Sequence, residues 1–447
     1  MLLASVPDEL FGKADTGTTA WMLMSAALVL LMTPALAFFY GGLSRQKSVL
    51  NMMMMSIGSL GVVSVIYVLW GYSTSFSGSL SGENDIWGLF DNPFKYFGLS
   101  QLLETKESGA DTLIVQTAAG SGLPAIVFAG FQLTFAVITV ALISGALAER
   151  VKFGTWLLFT AVWTTIVYLP LAHMVWGNGL LSGAGDGIAA WMFGTNDEGK
   201  ANVAPIDFAG GTVVHINAGI AGLVLAIIVG KRLGFGKHSY RPHNIPFVML
   251  GAALLWFGWF GFNAGSAGTA NMTAGLAWVN TTVATAAAML GWLAVEKFRD
   301  GHATTVGAAS GVVAGLVAVT PACADISPIG AIVLGIVAGA AAAFGVGLKT
   351  RFGFDDSLDV VGVHLVAGLI GTVSVGFLGT KTGLFYGGDY KQLVVQIVIA
   401  AVALAFTAIL TAAIAFALKP LGWRIDKESE ADGIDNSEHA ETAYDLV

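Results

Sequence analysis

Charged residues are scarce in this sequence, and that scarcity excludes an ordinary soluble protein. Only 11% of the 447 residues are Asp, Glu, Lys or Arg, whereas 55% are hydrophobic and the mean hydropathy is +0.75. Soluble domains carry about 25% charged residues. A membrane-spanning helix needs about 20 mostly apolar residues, and such continuous runs recur along the chain. The composition therefore predicts an all-α polytopic membrane protein.

Cysteine is almost absent, which excludes two further classes of site. The single Cys323 allows neither an intrachain disulfide nor a cysteine-based metal cluster, and we interpret it as a small packed residue. The net charge of −8 comes without a basic stripe, so we expect no nucleic-acid partner. The N-terminus lacks a basic region ahead of an apolar run, so we expect no cleaved signal peptide.

The apolar runs predict eleven transmembrane helices and, with the charges, an orientation. Fifteen of the 21 Lys and Arg residues lie in the C-terminal tail and in the loops after spans 1, 3, 5, 7 and 9, and six lie elsewhere. Positive loops face the cytoplasm, which predicts an outside N-terminus and a cytoplasmic C-terminus in a multi-pass protein of the cell membrane. The spans are 18–42, 48–72, 123–147, 154–175, 208–230, 244–266, 270–296, 304–322, 327–348, 359–379 and 392–418.

Two long loops, 73–122 and 176–207, are predicted on the outer side. They are either solvated connections or a vestibule that attracts cations. We divide the chain into a transmembrane domain, residues 1–420, and a C-terminal tail, residues 421–447.

A repeated motif lies in two of the predicted spans. Residues 214–222 and 363–371 both read V-H-x-x-A-G-x-x-G. Spans 1–5 and 6–10 then form two halves, and because five is odd the halves run in opposite directions. Such an inverted repeat places a transport site at the interface between its halves.

The histidines of the motif are His215 and His364, and each follows an aspartate at the head of its span, Asp207 or Asp359. The separations of eight and five residues correspond to about 12 Å and about 7.5 Å along a helix, so both histidines should lie near the middle of the membrane. The glycines four and seven residues later lie on the same helix face and should allow a close crossing. We interpret the aspartates as caps of free N–H groups and the histidines as functional.

Two histidines in an apolar pore allow few kinds of chemistry. A metal site usually needs three or four ligands, and no HxxxH or HxxE pattern accompanies this pair, so we expect no metal and no cofactor. A haem-bearing redox protein with one histidine on each side of the iron is an alternative. A hydrogen-bonded imidazole pair can donate, accept and pass protons, which suits a small polar solute in a narrow dry channel.

Several long motifs resemble those of the Amt/MEP/Rh ammonium transporters, in particular the bacterial or archaeal Amt branch. They include FYGGLSRQKSVLNMMM, AHMVWGNGLL, WFGFNAGSAGTAN and DVVGVH, and the resemblance runs from about residue 20 to the C-terminus. It implies a homotrimer in the lipid bilayer with one pore per subunit, a transporter and not an enzyme. The implied substrate is ammonium, with methylammonium as its analogue.

The resemblance also implies roles for single residues. Trp176, Phe135 and Ser266 match the outer site that binds ammonium, and Phe135 with Phe262 matches the stacked gate. The remaining matches are the twin pore histidines, two pore-wall positions and the acidic residue below the vestibule: His215, His364, Trp259, Phe39 and Asp207.

The sequence departs from the family pattern in two places. The interval between Trp176 and Asp207 is longer than usual, and Ala440 stands in the tail where a glycine is common. The tail otherwise resembles a regulatory segment that engages PII-type signal proteins at the cytoplasmic face. Its acidic composition, taken alone, is typical of a flexible segment.

Two functions of other classes stay open beside ammonium transport. An ammonium sensor would signal through its tail and transport little. A neutral gas or water channel would not need a cation site at Trp176, Phe135 and Ser266.

Overall fold

The computed structural model describes residues 11–81, 85–108, 112–117, 122–237 and 240–444. The expectation about N-terminal processing concerns residues that lie outside these ranges. Within them the chain is mostly helical, and ten helices are long and apolar enough to cross a membrane. The predicted all-α polytopic class is therefore confirmed.

The helices follow the predicted spans closely. A shorter apolar helix of 15 residues stands where the eighth span was predicted. In chain order the helices are α1 (Thr16–Leu43), α2 (Gln46–Gly78), α3 (Ala125–Leu147), α4 (Phe153–Trp176), α5 (Gly211–Val229), α6 (Ile245–Gly265), α7 (Met272–Asp300), α8 (Thr305–Val319), α9 (Pro328–Phe352), α10 (Val361–Leu378) and α11 (Lys391–Ala417).

The ends of the helices have local causes in the sequence. Helix α8 stops at Val319, and Pro321 follows, which has no N–H group with which to continue the helical hydrogen bonds. Five of these eleven helices start at a polar cap whose side chain accepts the N–H three residues on, which satisfies one free donor of the first turn. These caps are Asp15, Asn244, Asn271, Thr304 and Ser327.

The two motif helices, α5 and α10, cross closely, as the repeated glycines predict. A Cβ added to Gly219 would lie 2.6 Å from the backbone nitrogen of Leu365, and one added to Gly368 would lie 3.2 Å from the Cβ of His215. Each helix also begins with a π-helical turn, Gly211–Ile216 and Val361–Val366. The crossing brings the two motif histidines together.

The long loops are more structured than plain connections. Short strands β2 (Asp85–Ile86) and β3 (Phe90–Asp91) form an antiparallel hairpin, and β1 (Phe11–Gly12), β5 (Thr112–Gln116) and β4 (Thr105–Ser108) form a small sheet in that order. The longer interval after Trp176 contains the short helix Ile188–Phe193. Its apolar side chains pack with Val395, Ile399 and Ala403 of α11.

The tail is folded against the body of the protein, unlike the flexible segment expected from its composition. It forms α12 (Lys427–Asp432) and α13 (Ile434–His439), and Ile434 is fully buried. Helix α13 ends at His439 and is followed by Ala440, which has a φ of +53°. A non-glycine residue in this left-handed region costs about 1–2 kcal/mol, so the backbone explains why glycine suits the position.

We call the side of the membrane domain that contacts the tail the tail face, and the opposite side the Trp176 face.

Candidate functional site

His215 and His364 form a buried pair where α5 and α10 cross. They are 1% and 2% exposed, their Nδ1 atoms lie 3.4 Å apart, and their rings are stacked at 5.5 Å. Because each nitrogen can donate only if it carries the proton, the two neutral rings must be opposite tautomers. The predicted meeting of the histidines is therefore observed.

The second ring nitrogen of His215 has an unusual environment. Its Nε2 is buried and has no hydrogen-bond partner among the described residues. Buried polar atoms in folded proteins are nearly always bonded to protein or ordered water. This nitrogen is therefore free to bond a small solute beside the pair.

Trp259 forms one wall of the histidine site. Its ring stacks on His215 at a centroid distance of 5.3 Å, and its Nε1 donates to the Thr320 hydroxyl at 2.8 Å. Phe39, the other predicted wall residue, is placed differently. It lies on α1 against Gly251 of α6, and among the ring contacts of the described residues it meets Tyr40 and neither histidine.

The predicted gate residues lie directly beside the histidine site. Phe135 and Phe262 stack at 4.2 Å with an interplanar angle of 23°, and both are buried. The ring of Phe262 lies 6.0 Å from that of His215. The stacked pair therefore lies between Trp176 and the histidine site.

Trp176 completes the row of rings on the other side of the gate. It is partly exposed, and its ring meets Phe135 edge-on at 5.9 Å. Its Nε1 donates to the backbone oxygen of Asp207 at 2.9 Å. Despite the longer interval that follows it, Trp176 is therefore hydrogen-bonded to the residue that caps α5.

Ser266 lies one turn beyond Phe262 at the end of α6 and is partly exposed. Its hydroxyl donates to the backbone oxygen of Phe262 at 2.7 Å. Since that bond uses the only proton of the hydroxyl, its oxygen can act only as an acceptor toward a ligand. Such an acceptor suits a cation that carries N–H groups.

Asp207 caps the start of α5, as predicted. Its carboxylate accepts the N–H groups of Gly210, Gly211, Thr212 and Val213 at 2.6–3.1 Å. Burial raises the pKa of Asp207, and these hydrogen bonds only partly offset the effect.

The expectation that Asp359 caps the second motif helix is wrong. Asp356 accepts the N–H groups of Val360 and Val361 at 3.1 and 2.7 Å. Asp359 has a φ of +67°, stands directly before the first turn, and pairs with Lys349 at 2.7 Å. The sequence did contain a signal, because Asp356 precedes His364 by eight residues, the same spacing as between Asp207 and His215.

The histidine pair is not arranged as a metal site. Among the described residues, the group of three or more candidate ligands lies elsewhere, at Asp85, Asp91 and His173. The pair therefore offers hydrogen-bonding atoms among buried aromatic side chains.

Comparisons with known proteins show the family of the chain. The Ammonium Transporter Family profile matches residues 20–444. An ammonium transporter of Mycobacterium tuberculosis (strain ATCC 25618 / H37Rv) is 54% identical over 459 aligned residues, which cover 98% of this chain and 92% of that protein. The crystal structure of Saccharomyces cerevisiae Mep2 has a TM-score of 0.80 at 32% identity, covering 94% of this chain and 90% of that one. A sensor Amt protein has a TM-score of 0.80 at 26% identity, covering 95% and 98%. The chain thus belongs to the ammonium transporter family.

Proposed function

We propose that this protein carries ammonium across the membrane by binding NH4⁺ at the Trp176 face, removing its proton near the phenylalanine gate, and conducting NH3 along the histidine pair. One observation carries the proposal. Trp176, Phe135, Phe262, His215 and His364 form an unbroken row in which neighbouring rings are 4.2–6.0 Å apart. The row runs from a partly exposed aromatic residue to a buried polar pair.

The first step uses groups that attract a small cation. Aromatic faces such as those of Trp176 and Phe135 attract a cation by about 0.5–2 kcal/mol each. The Ser266 oxygen adds an acceptor for one N–H group. Trp176 also stays close to the partly buried Asp207 carboxyl through its bond to the Asp207 backbone oxygen.

The second step follows from the free energy of moving an ion into the dry passage. An unpaired ion in a medium of low dielectric constant costs tens of kcal/mol by Born estimates. With an alkylammonium pKa of about 10.4 as a stand-in, deprotonation at pH 7 costs about 4.6 kcal/mol. Losing the proton before passing Phe135 and Phe262 is therefore the cheaper route.

The third step uses the hydrogen-bonding atoms of the histidines. Ammonia can accept from an imidazole N–H or donate to an imidazole nitrogen, and His215 Nε2 has no other partner among the described residues. Because the pair shares a hydrogen bond, it also gives the proton a path parallel to that of NH3. We infer that transport is electrogenic when this path operates.

The protein as a whole is proposed to work as a homotrimer in the cell membrane, with one pore per subunit. The distribution of Lys and Arg supports an outside Trp176 face and a cytoplasmic tail face. Residues 1–420 then form the transport domain, and residues 421–447 form a regulatory tail that engages a PII-type signal protein.

A second candidate function is ammonium sensing with little transport. The similarity to a sensor Amt protein over 95% of this chain favours it. A sensor would share the site at Trp176 but would not conduct.

One experiment separates these functions. Reconstituted proteoliposomes are given ammonium or labelled methylammonium across a pH series, and current and uptake are measured together. Saturable uptake with current supports the proposal. Binding without uptake supports the sensor, and non-saturable uptake that ignores substitution of Trp176 supports a neutral gas channel.

A further inference from the structure

Asp85, Asp91 and His173 form a cluster at the Trp176 face that the proposed transport does not use. One ligand atom from each residue lies within 4.8 Å of the other two. The residues come from β2, β3 and α4, and 88 positions separate Asp85 from His173, so no local motif reveals them. We propose that this cluster binds a divalent transition-metal ion of the Zn²⁺ or Mn²⁺ class.

The hairpin holds the two carboxylates against each other. Asp85 and Asp91 are direct partners in the antiparallel pairing of β2 and β3. Directly opposed residues have Cβ atoms about 4.5–5.5 Å apart, and like charges at such positions are destabilising. The ion pairs of both carboxylates within the described residues are with His173 alone. The arrangement therefore requires a positive charge.

Asp91 supplies an independent sign of a missing ligand. Its side chain is fully buried, and its Oδ1 has no hydrogen-bond partner among the described residues. The other oxygen, Oδ2, accepts the N–H of Gly78 at 2.5 Å and lies 3.4 Å from His173 Nδ1. A buried charged oxygen without a partner is costly, and a metal ion would satisfy it.

The imidazole of His173 is oriented as a metal ligand. It is fully buried, and its Nδ1 lies 3.2 Å from the backbone oxygen of Ser75, which can only accept a hydrogen bond. With the ring proton on Nδ1, the lone pair of Nε2 faces the Asp85 carboxylate at 3.1 Å. A second proton or a metal ion must lie between them. Histidine ligands typically donate their other ring N–H to a carbonyl or carboxylate in this way.

One observed separation is close to that expected for a bound metal ion. Bonds of about 2.0–2.2 Å from a tetrahedral zinc ion to nitrogen and oxygen place neighbouring ligand atoms about 3.3–3.6 Å apart. The distance between His173 Nε2 and Asp85 Oδ1 is 3.1 Å, whereas the ligand atoms of the whole cluster lie within 4.8 Å of one another, so the carboxylates must adjust their positions around the ion. Asp85 is 30% exposed, so it has room to close on the ion and gives the ion a path from the Trp176 face.

The test is zinc binding by the full-length, tag-free protein in detergent. After chelator treatment, the metal content is measured by elemental analysis, and affinity is measured by competition with a chromophoric chelator. We expect one Zn²⁺ per chain, and an affinity at least about tenfold lower in the His173→Gln and Asp85→Asn variants. The matched controls His302→Gln and Asp186→Asn change exposed residues and should bind like the wild type.

Each outcome decides the proposal. Loss of binding in the site variants alone supports it. Absence of specific zinc binding in the wild type, or equal binding in all variants, overturns it and leaves His173 as a protonated bridge between two carboxylates. If His173→Gln does not fold, as judged by size-exclusion chromatography, Asp85→Asn decides the question because its side chain is partly exposed. Since the readout is metal binding, a negative result leaves the proposed transport untouched.

Discussion

At the scale of single residues, the buried histidine pair leaves one hydrogen-bonding atom without a partner. The Nδ1 atoms bond each other at 3.4 Å, but the Nε2 of His215 remains buried without a partner in the described part of the chain. A polar core residue kept only for stability would normally have both nitrogens satisfied. The arrangement therefore favours a transient partner such as a passing solute.

We expect the substitutions His215→Ala and His364→Ala each to remove the proton path. Transport current should fall by about tenfold or more, since positioned proton-transfer groups contribute about 10²–10⁴-fold to the steps they assist. Methylammonium uptake should fall less than current, because a neutral amine needs no proton path. Current and labelled uptake measured in the same proteoliposomes check this prediction.

The control for these variants is His302→Ala, which changes an exposed histidine. It should keep wild-type current and uptake. If both pore variants also keep wild-type current, uptake and ion selectivity, the histidines are structural and the proposed relay is wrong.

Replacing Trp176 with Leu should weaken the apparent affinity for ammonium. The change removes a cation-binding ring worth about 0.5–2 kcal/mol, which corresponds to about 2–30-fold in half-saturating concentration. Uptake measured over a range of ammonium concentrations gives this value. Trp191→Leu is the matched control, since Trp191 is 68% exposed. Unchanged half-saturation in Trp176→Leu contradicts the assignment of Trp176 to the outer site.

At the scale of elements, the two motif helices share a capping carboxylate at the same spacing from the histidine. Asp207 and Asp356 each accept backbone N–H groups of the first turn, and each histidine follows eight residues later. The shared geometry fixes where each π-helical turn begins. The cap therefore sets the rotation of the helix about its own axis, and with it the direction in which the histidine side chain points toward the other histidine.

Asp356 should make stability depend on pH. Burial, and then repulsion from Asp359, raises the pKa of Asp356 from 3.8 to about 6. Between the unfolded pKa and the higher folded pKa, the folded protein binds more protons at this carboxyl group than the unfolded protein does. The contribution of the group to stability therefore falls as pH rises from about 4 to about 6. The difference corresponds to about 3 kcal/mol.

The Asp356→Asn variant tests this contribution. Relative to the wild type, its melting temperature in detergent should rise between about pH 4.5 and about pH 7, because the amide has no charge to desolvate. The exposed Asp186→Asn variant controls for general effects of pH. If the difference in melting temperature between the variant and the wild type stays constant or decreases as pH rises, the assigned pKa of Asp356 is contradicted.

The sequence predicts the helices well because hydropathy and turn chemistry are local properties. The resemblance also singles out Phe262 and Trp259, whose rings contact that of His215, and Phe135, whose ring stacks on Phe262. The features that the sequence does not predict depend on tertiary contacts. Asp359 stands at the head of the predicted span, but the backbone turn at Asp359, with φ of +67°, leaves Asp356 as the carboxylate that reaches the free N–H groups.

At the scale of the whole molecule, charged contacts on the tail face join the tail to loops from both halves of the repeat. Glu149 bonds Arg45 at 2.7 Å and lies 3.5 Å from Arg232, which in turn bonds Asp355 at 2.9 Å. Arg45 also donates to the backbone oxygen of Glu430 in α12. The tail therefore contacts segments that adjoin the motif helices, which gives it a physical route to influence transport.

Asp435 connects this network to the start of α2, and its removal tests the role of the tail. Its carboxylate accepts the N–H groups of Leu50 and Asn51 at 3.0 and 2.8 Å, and hydrogen bonds to charged groups contribute about 1.5–3 kcal/mol each. We expect deletion of residues 432–447 to abolish co-purification with a cognate PII-type protein and to lower methylammonium uptake. The Asp435→Asn variant should show smaller losses of both properties, because its tail binds the membrane domain less tightly. Glu441→Gln, an exposed tail position, should retain both properties. Equal co-purification of the full-length and truncated proteins contradicts a role of the tail in partner binding. Equal uptake shows that the docked tail does not act on the pore.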